Sequence, residues 1–207
     1  MSFFDNNKNV GLALIIVGLI NLVAGIGRMV VGLTDDSVIT LAAICFGIAS
    51  LIFGILILGY GFKVRGGPND QSVVVSGLIR TIGIVTILQA LFIALGAYFA
   101  SDQSGIADSV VIALTSMLIS IIIGLILIWA AGKVAGANKN VISKFLWVLL
   151  IVIFLILAIL SFFDIFGQDF GTLWGILGLV AAICMCIVYI YCFIAMLSED
   201  VKRSMGI

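Results

Sequence analysis

Polar and charged residues in this chain are confined to short stretches between long apolar runs. Six runs stand out, at residues 10–33, 38–62, 73–100, 110–131, 141–163 and 172–197. Crossing a hydrocarbon layer roughly 30 Å thick takes about 20 apolar residues in a helix, and each run is at least that long. None alternates with period two, and each is about twice the length of a barrel strand, so helix is the predicted conformation. The expected fold is an all-α integral membrane protein, a six-transmembrane-helix bundle forming a single domain over residues 1–207. Lys8 followed by an apolar run resembles a secretory leader. The run over 10–33 is, however, longer than the roughly 7–15 residues of a leader core and lacks an A-x-A site, so it is read as the first span.

The connections fall into two kinds. Those after the first, third and fifth runs hold Asp35 and Asp36, Asp102 and Asp108, and Asp164 and Asp169, with no lysine or arginine. The other side carries Lys8, Lys63, Arg65, Lys133, Lys139, Lys144, Lys202 and Arg203, eight of the ten basic residues. The positive-inside rule places this second side, with both termini, in the cytoplasm, and the expected location is the cell (plasma) membrane. Trp174 and Tyr98 fall near outer ends and Tyr60, Trp129 and Trp147 near inner ends, the two levels amphipathic rings prefer.

The same pattern contains an internal repeat. The segment 50–67 (SLIFGILILGYGFKVRGG) aligns without gaps on 120–137 (SIIIGLILIWAAGKVAGA), 70 residues later, with Ser, Gly, Lys, Val and a second Gly coinciding. The third pair of runs keeps the acidic outer turn and basic inner end. The chain is therefore expected to be three like-oriented helical hairpins, related by an axis along the membrane normal.

Composition removes the competing classes. Only 10% of residues are charged against 64% hydrophobic, whereas a soluble domain carries roughly 25% charge. Disorder fails for the opposite reason, too much apolar surface. Net charge is zero, so no nucleic-acid partner is expected. Cys45, Cys184, Cys186 and Cys192 all lie within apolar runs and read as small hydrophobes. No histidine is present, which removes the commonest metal ligand and general base. No cofactor, metal or catalytic residue is expected.

What chemistry remains lies on the first three runs. Gly11, Gly18, Gly25 and Gly32 recur every seven residues, with Leu14, Asn21 and Arg28 between them. Seven residues are nearly two turns, so these positions share one face. The second run repeats the device with Thr40, Gly47, Gly54 and Gly61, accompanied by Ala43 and Ser50, and the third with Ser76, Gly83, Ala90 and Ala97, with Arg80 alongside. Small residues let helix backbones approach in lipid, where no hydrophobic drive pairs them. They also suit the wall of a narrow permeation path. Asn21 and Gln89 lie at matching depth, 14 and 13 residues before Asp35 and Asp102, and suit either a hydrogen bond across the bundle or contact with a substrate. Arg28 is expected to snorkel toward Asp35 and Asp36, and Arg80 toward inner phosphates or carbonyls. The alternative for both is an anion or lipid-headgroup site.

No acid falls within the runs, no lysine lies mid-span, and the lone proline, Pro68, is in a loop. Proton relays and cation-coupled sites usually need an intramembrane acid, and no P-loop or catalytic serine motif is present. The expectation is a non-catalytic membrane protein, an assembly, scaffold or accessory subunit. Its partners would be membrane lipids and a second copy or another membrane protein. The alternative is a small channel or facilitator for anions or lipid headgroups, lined by the first three spans.

Overall fold

The computed structural model describes residues 6–34, 39–67, 70–100, 106–135 and 141–207, except for the side chains of 106–109 and 141. Asp5, Asp35, Asp36, Pro68, Asp102 and Lys139, together with the Asp108 side chain, lie outside the described residues. Seven helices are present among these: α1 (Asn7–Thr34), α2 (Thr40–Gly66), α3 (Gln71–Ala100), α4 (Ile106–Val134), α5 (Val141–Phe166), α6 (Leu173–Met196) and α7 (Glu199–Ser204). The first six are long and apolar enough to cross a membrane, and the chain is a polytopic membrane protein.

Several helices overrun the apolar runs that predict them. The helix ladder continues for a turn or so into the polar zone, because hydrogen-bonding ends where the backbone is capped and not where hydrocarbon ends. Asp164, expected in a connection, is in the last turn of α5 as a result. Side chains cap several of the helix starts. Asp70 Oδ1 accepts from Ser72 N at 2.9 Å ahead of α3, and Thr172 Oγ1 accepts from Gly175 N at 3.1 Å ahead of α6.

The packing partners form a sequence in space that differs from chain order. α1 packs along α2, α3 along α4 and α5 along α6; α2 also packs on α3, and α1 on α6. The spatial row is thus α4, α3, α2, α1, α6, α5, closed by slight contacts of α4 with α5 and of α3 with α6. Burial follows this row. Half of the apolar window of α1, α2 and α6 is buried, against 17% in α4 and 28% in α5.

The main apolar cluster lies toward the end that carries Lys63, Lys133 and Lys202. Phe53 and Ile57 of α2, Leu78, Ile79 and Ile82 of α3, Leu127 of α4, and Leu146, Leu150 and Phe154 of α5 are fully buried in it. The floor of that end is α7, which the run pattern does not predict. Ser198 caps it, accepting from Val201 N at 3.5 Å, with Glu199 and Asp200 in its first turn and Lys202 and Arg203 in its last. Val201 and Met205 are completely buried beneath the bundle. Ser204 Oγ donates to Val134 O at 2.8 Å, and Trp147 Nε1 donates to Met196 O at 2.8 Å. These bonds satisfy terminal carbonyls of α4 and α6 that have no partner within their own helices.

Candidate functional site

The glycine faces of α1 and α2 meet each other. A methyl group placed on Gly11 would fall 2.9 Å from Gly61 O, on Gly18 2.9 Å from Gly54 O, and on Gly25 2.9 Å from Gly47 O. Each relation is reciprocal: a methyl on Gly61, Gly54 or Gly47 would lie 2.9 Å from the oxygen of Gly11, Gly18 or Gly25. Every step of seven forward along α1 is matched by a step of seven backward along α2. That is antiparallel register held over nearly the whole length. At the far end, a methyl on Gly32 would strike Ala43 Cβ, and one on Gly47 would also strike Met29 Cγ. Only glycine lets the two backbones come this close, and close approach is what supplies dispersion energy between helices in lipid. The α3–α4 pair uses the same device once, with Gly83 and Gly124 each placing a virtual methyl 2.7 Å from the other's oxygen.

The two amides separate. Asn21, fully buried, donates from Nδ2 to Ala181 O of α6 at 3.4 Å, while its Oδ1 has no partner among the described residues. Gln89, also buried, donates from Nε2 to Ala49 O of α2 at 2.6 Å. Each amide ties its own helix to a neighbour's backbone, and the structure does not pair them with each other.

Arg28 turns to aromatic rings. Its guanidinium carbon lies 4.2 Å from the Trp174 ring centroid and 5.4 Å from that of Phe46, and the two rings stand 6.4 Å apart at 58°. The lack of a side chain at Gly178 is what admits Gln168 beside Arg28. A methyl there would strike Gln168 Oε1 and lie 3.4 Å from Arg28 Nη2. A planar guanidinium in a desolvated aromatic clamp gains roughly 0.5–2 kcal/mol from the ring quadrupoles. The acids expected to receive it, Asp35 and Asp36, are outside the described residues.

Arg80 is exposed on α3. With Lys63, Tyr60, Ser76, Gly77 and Thr81 it lines a cleft of ≈ 450 Å³ between α2 and α3. Tyr60 forms the wall: its hydroxyl donates to Val74 O at 2.7 Å, and its ring occupies the space that a side chain on Gly77 would need. Two further cavities are apolar, one of ≈ 260 Å³ between α3 and α4 beside Leu91 and Met117, and one of ≈ 250 Å³ between α1 and α6 beside Leu14 and Ile187.

Asn21, Gln89, Arg28 and Arg80 therefore occupy four separate places and do not form one polar interior. The residues that sequence reasoning missed are the partners: Trp174, Phe46 and Gln168 around Arg28, and Lys63 and Tyr60 beside Arg80. Trp174 and Tyr60 were visible as interface aromatics, but nothing in their spacing names the cation each faces. The four cysteines are unpaired and buried. Comparison with protein-family models, curated proteins and solved structures finds no match.

Proposed function

We propose that this chain is a non-catalytic assembly or accessory subunit of the cell membrane, with both termini cytoplasmic, built from three like-oriented hairpins. The observation that carries the reading is the unequal burial along the helix row. α1 and α2 are half buried and tightly seamed and α6 is half buried, whereas α4 and α5, at the ends of the row, bury only 17% and 28% of their apolar windows. Val111, Ile112, Leu118, Ile119, Ile122 and Leu125 of α4 are each more than half exposed. Uncovered apolar residues suit lipid and protein alike; the slight contact between α4 and α5 leaves that side of the bundle open to a helix of another subunit or copy within the bilayer.

The charge distribution supports the orientation. Lys8 and Lys144 sit in the first turns of α1 and α5, where a cation opposes the helix macrodipole. Their placement therefore follows the end of the bundle and not the polarity of the helix, as the positive-inside rule requires. The repeated segments also act alike. Ser50 and Ser120 each donate back to the carbonyl four residues earlier, at 3.0 and 2.8 Å, and Gly54 and Gly124 each receive a neighbouring helix. A permeation path along the glycine faces is opposed by their occupancy, since the α2 backbone fills the space such a path needs.

The test is reconstitution into lipid nanodiscs, with mass determination and disulfide trapping through Ile119→Cys in a background lacking the four native cysteines. A defined multimer trapped through α4 is the expected result. A monodisperse monomer that conducts solutes in liposomes would overturn the proposal.

A further inference from the structure

The cleft between α2 and α3 is unlike the two apolar cavities, because two cations and, among the described residues, no acid line it. Arg80 lies nine residues into α3, about 14 Å along the axis from Gln71. Its exposure leaves it facing the surroundings of the bundle at that depth. Helix geometry brings it and Lys63 together. Side chains lean toward the N-terminus of their own helix, so Arg80 leans from within the span toward the basic end. Lys63, in the last turn of α2, leans from that end back into the span. The contact of Tyr60 with Gly77 sets the level of α2 against α3, with Lys63 one turn above it and Arg80 one turn below.

The hydroxyls around the cleft have committed their protons elsewhere. Ser76 donates to Ala131 O at 2.7 Å, Thr81 to Gly77 O at 2.9 Å and Tyr60 to Val74 O at 2.7 Å. Asp70, the acid nearest in sequence, is engaged by Ser72 N at 2.9 Å and Ser72 Oγ at 2.8 Å. Among the lining side chains, Lys63 and Arg80 are thus the donors open to a ligand, and that ligand is anionic. A fork and a point charge on one side of a small cleft suit phosphate oxygens. The rest of the lining is apolar. Val73 and Ile84 are 42% and 39% exposed and border the cleft on the lipid-facing side of α3. We infer that this cleft holds the phosphate headgroup of an anionic phospholipid, with an acyl chain running deeper past Ile84. The site is read within one protomer and does not depend on the assembly role.

Native mass spectrometry of the full chain, released from nanodiscs of phosphatidylglycerol or of phosphatidylcholine, tests the site. Retained phosphatidylglycerol adducts in preference to phosphatidylcholine are expected. Lys63→Gln with Arg80→Gln should reduce that preference at least about thirtyfold, because each gives up a direct charge-assisted bond to the phosphate that the diffuse attraction of the leaflet does not supply. Lys202→Gln with Arg203→Gln, which changes charge at the same end outside the cleft, should leave it unchanged. Equal loss in both pairs, or no loss in the first, overturns the site. Displacement of the adduct by glycerol 3-phosphate as readily as by lipid overturns the phospholipid assignment in favour of a soluble phosphate. A photoactivatable phosphatidylglycerol needs no variant and covers the case of a misfolded double substitution. Labelling should fall within residues 60–67 and 73–84, and labelling spread over all inner ends sinks the inference. Adducts counted per protomer keep this result separate from the oligomeric state.

Discussion

Substituting alanine at Gly18 tests the α1–α2 seam directly. The new methyl would sit 2.6 Å from Leu58 N, 2.8 Å from Leu58 Cα and 2.9 Å from Gly54 O, where 3.4 Å is ordinary contact. All three atoms are backbone, so no rotamer change relieves the clash and the helices must part by several tenths of an ångström or more. Parting is felt along the whole register, because Gly11 and Gly25 face the same helix. A gap of 0.5–1 Å forfeits a quarter to a half of each dispersion well, and overpacking typically costs about 1–3 kcal/mol. Against this, alanine gains about 1 kcal/mol of helix propensity over glycine. With a rigid backbone obstacle the clash belongs at the upper end, for a net loss of about 2 kcal/mol. Gly59 is the control: it lies on the same helix pair, but a methyl there meets nothing within 4 Å, so Gly59→Ala keeps only the propensity gain. Equilibrium unfolding in mixed detergent micelles, followed by helicity, reads both. The double variant Gly18→Ala, Gly54→Ala should cost less than the two singles together, because one separation relieves both clashes. Equal midpoints for Gly18→Ala and Gly59→Ala would falsify the seam as the organising contact.

Three further outcomes follow from the same geometry. Gln89→Ala, which gives up a buried 2.6 Å bond, should destabilise by about 1–2 kcal/mol and by more than Asn21→Ala, whose single bond is 3.4 Å long and whose oxygen lacks a partner; the reverse order in the same unfolding assay refutes the assignment. Arg28→Leu should alter the emission of Trp174 measured with Trp129 and Trp147 replaced by phenylalanine, and should cost roughly 1 kcal/mol; an unchanged spectrum denies the clamp. Val201→Asp places a carboxylate where no surface is exposed, so α7 should leave the floor of the bundle and residues 199–207 become sensitive to limited proteolysis; persistent protection counts against the docked helix.

The candidate residues were legible to different degrees. Heptad spacing announces that Gly11, Gly18, Gly25 and Gly32 form one face, and Gly47, Gly54 and Gly61 another. Spacing does not say whether such faces meet each other, a second copy or water, since close approach serves all three. The cation partners were harder. An arginine near an acidic turn has an obvious electrostatic partner, yet the ring nearest Arg28 comes from Trp174, on a helix more than a hundred residues away. The short α7 left a readable trace in Ser198 with Glu199, Asp200, Lys202 and Arg203, a capped turn with both ends charged to suit the dipole. It escapes the run pattern because six residues make no apolar run.

Properties that depend on one helix at a time are legible in the residues alone. The existence and length of six spans, the charge at each end and the small-residue faces all follow from transfer of residues between water and hydrocarbon, which is local and additive. The row α4, α3, α2, α1, α6, α5, the antiparallel glycine register and the placing of Lys63 and Arg80 on one cleft exist only in the folded bundle. In lipid every apolar face is equally content with solvent, so hydrophobicity cannot choose a helix's neighbour. That choice falls to backbone approach, interhelical hydrogen bonds and side-chain fit, which exist only once two helices are side by side.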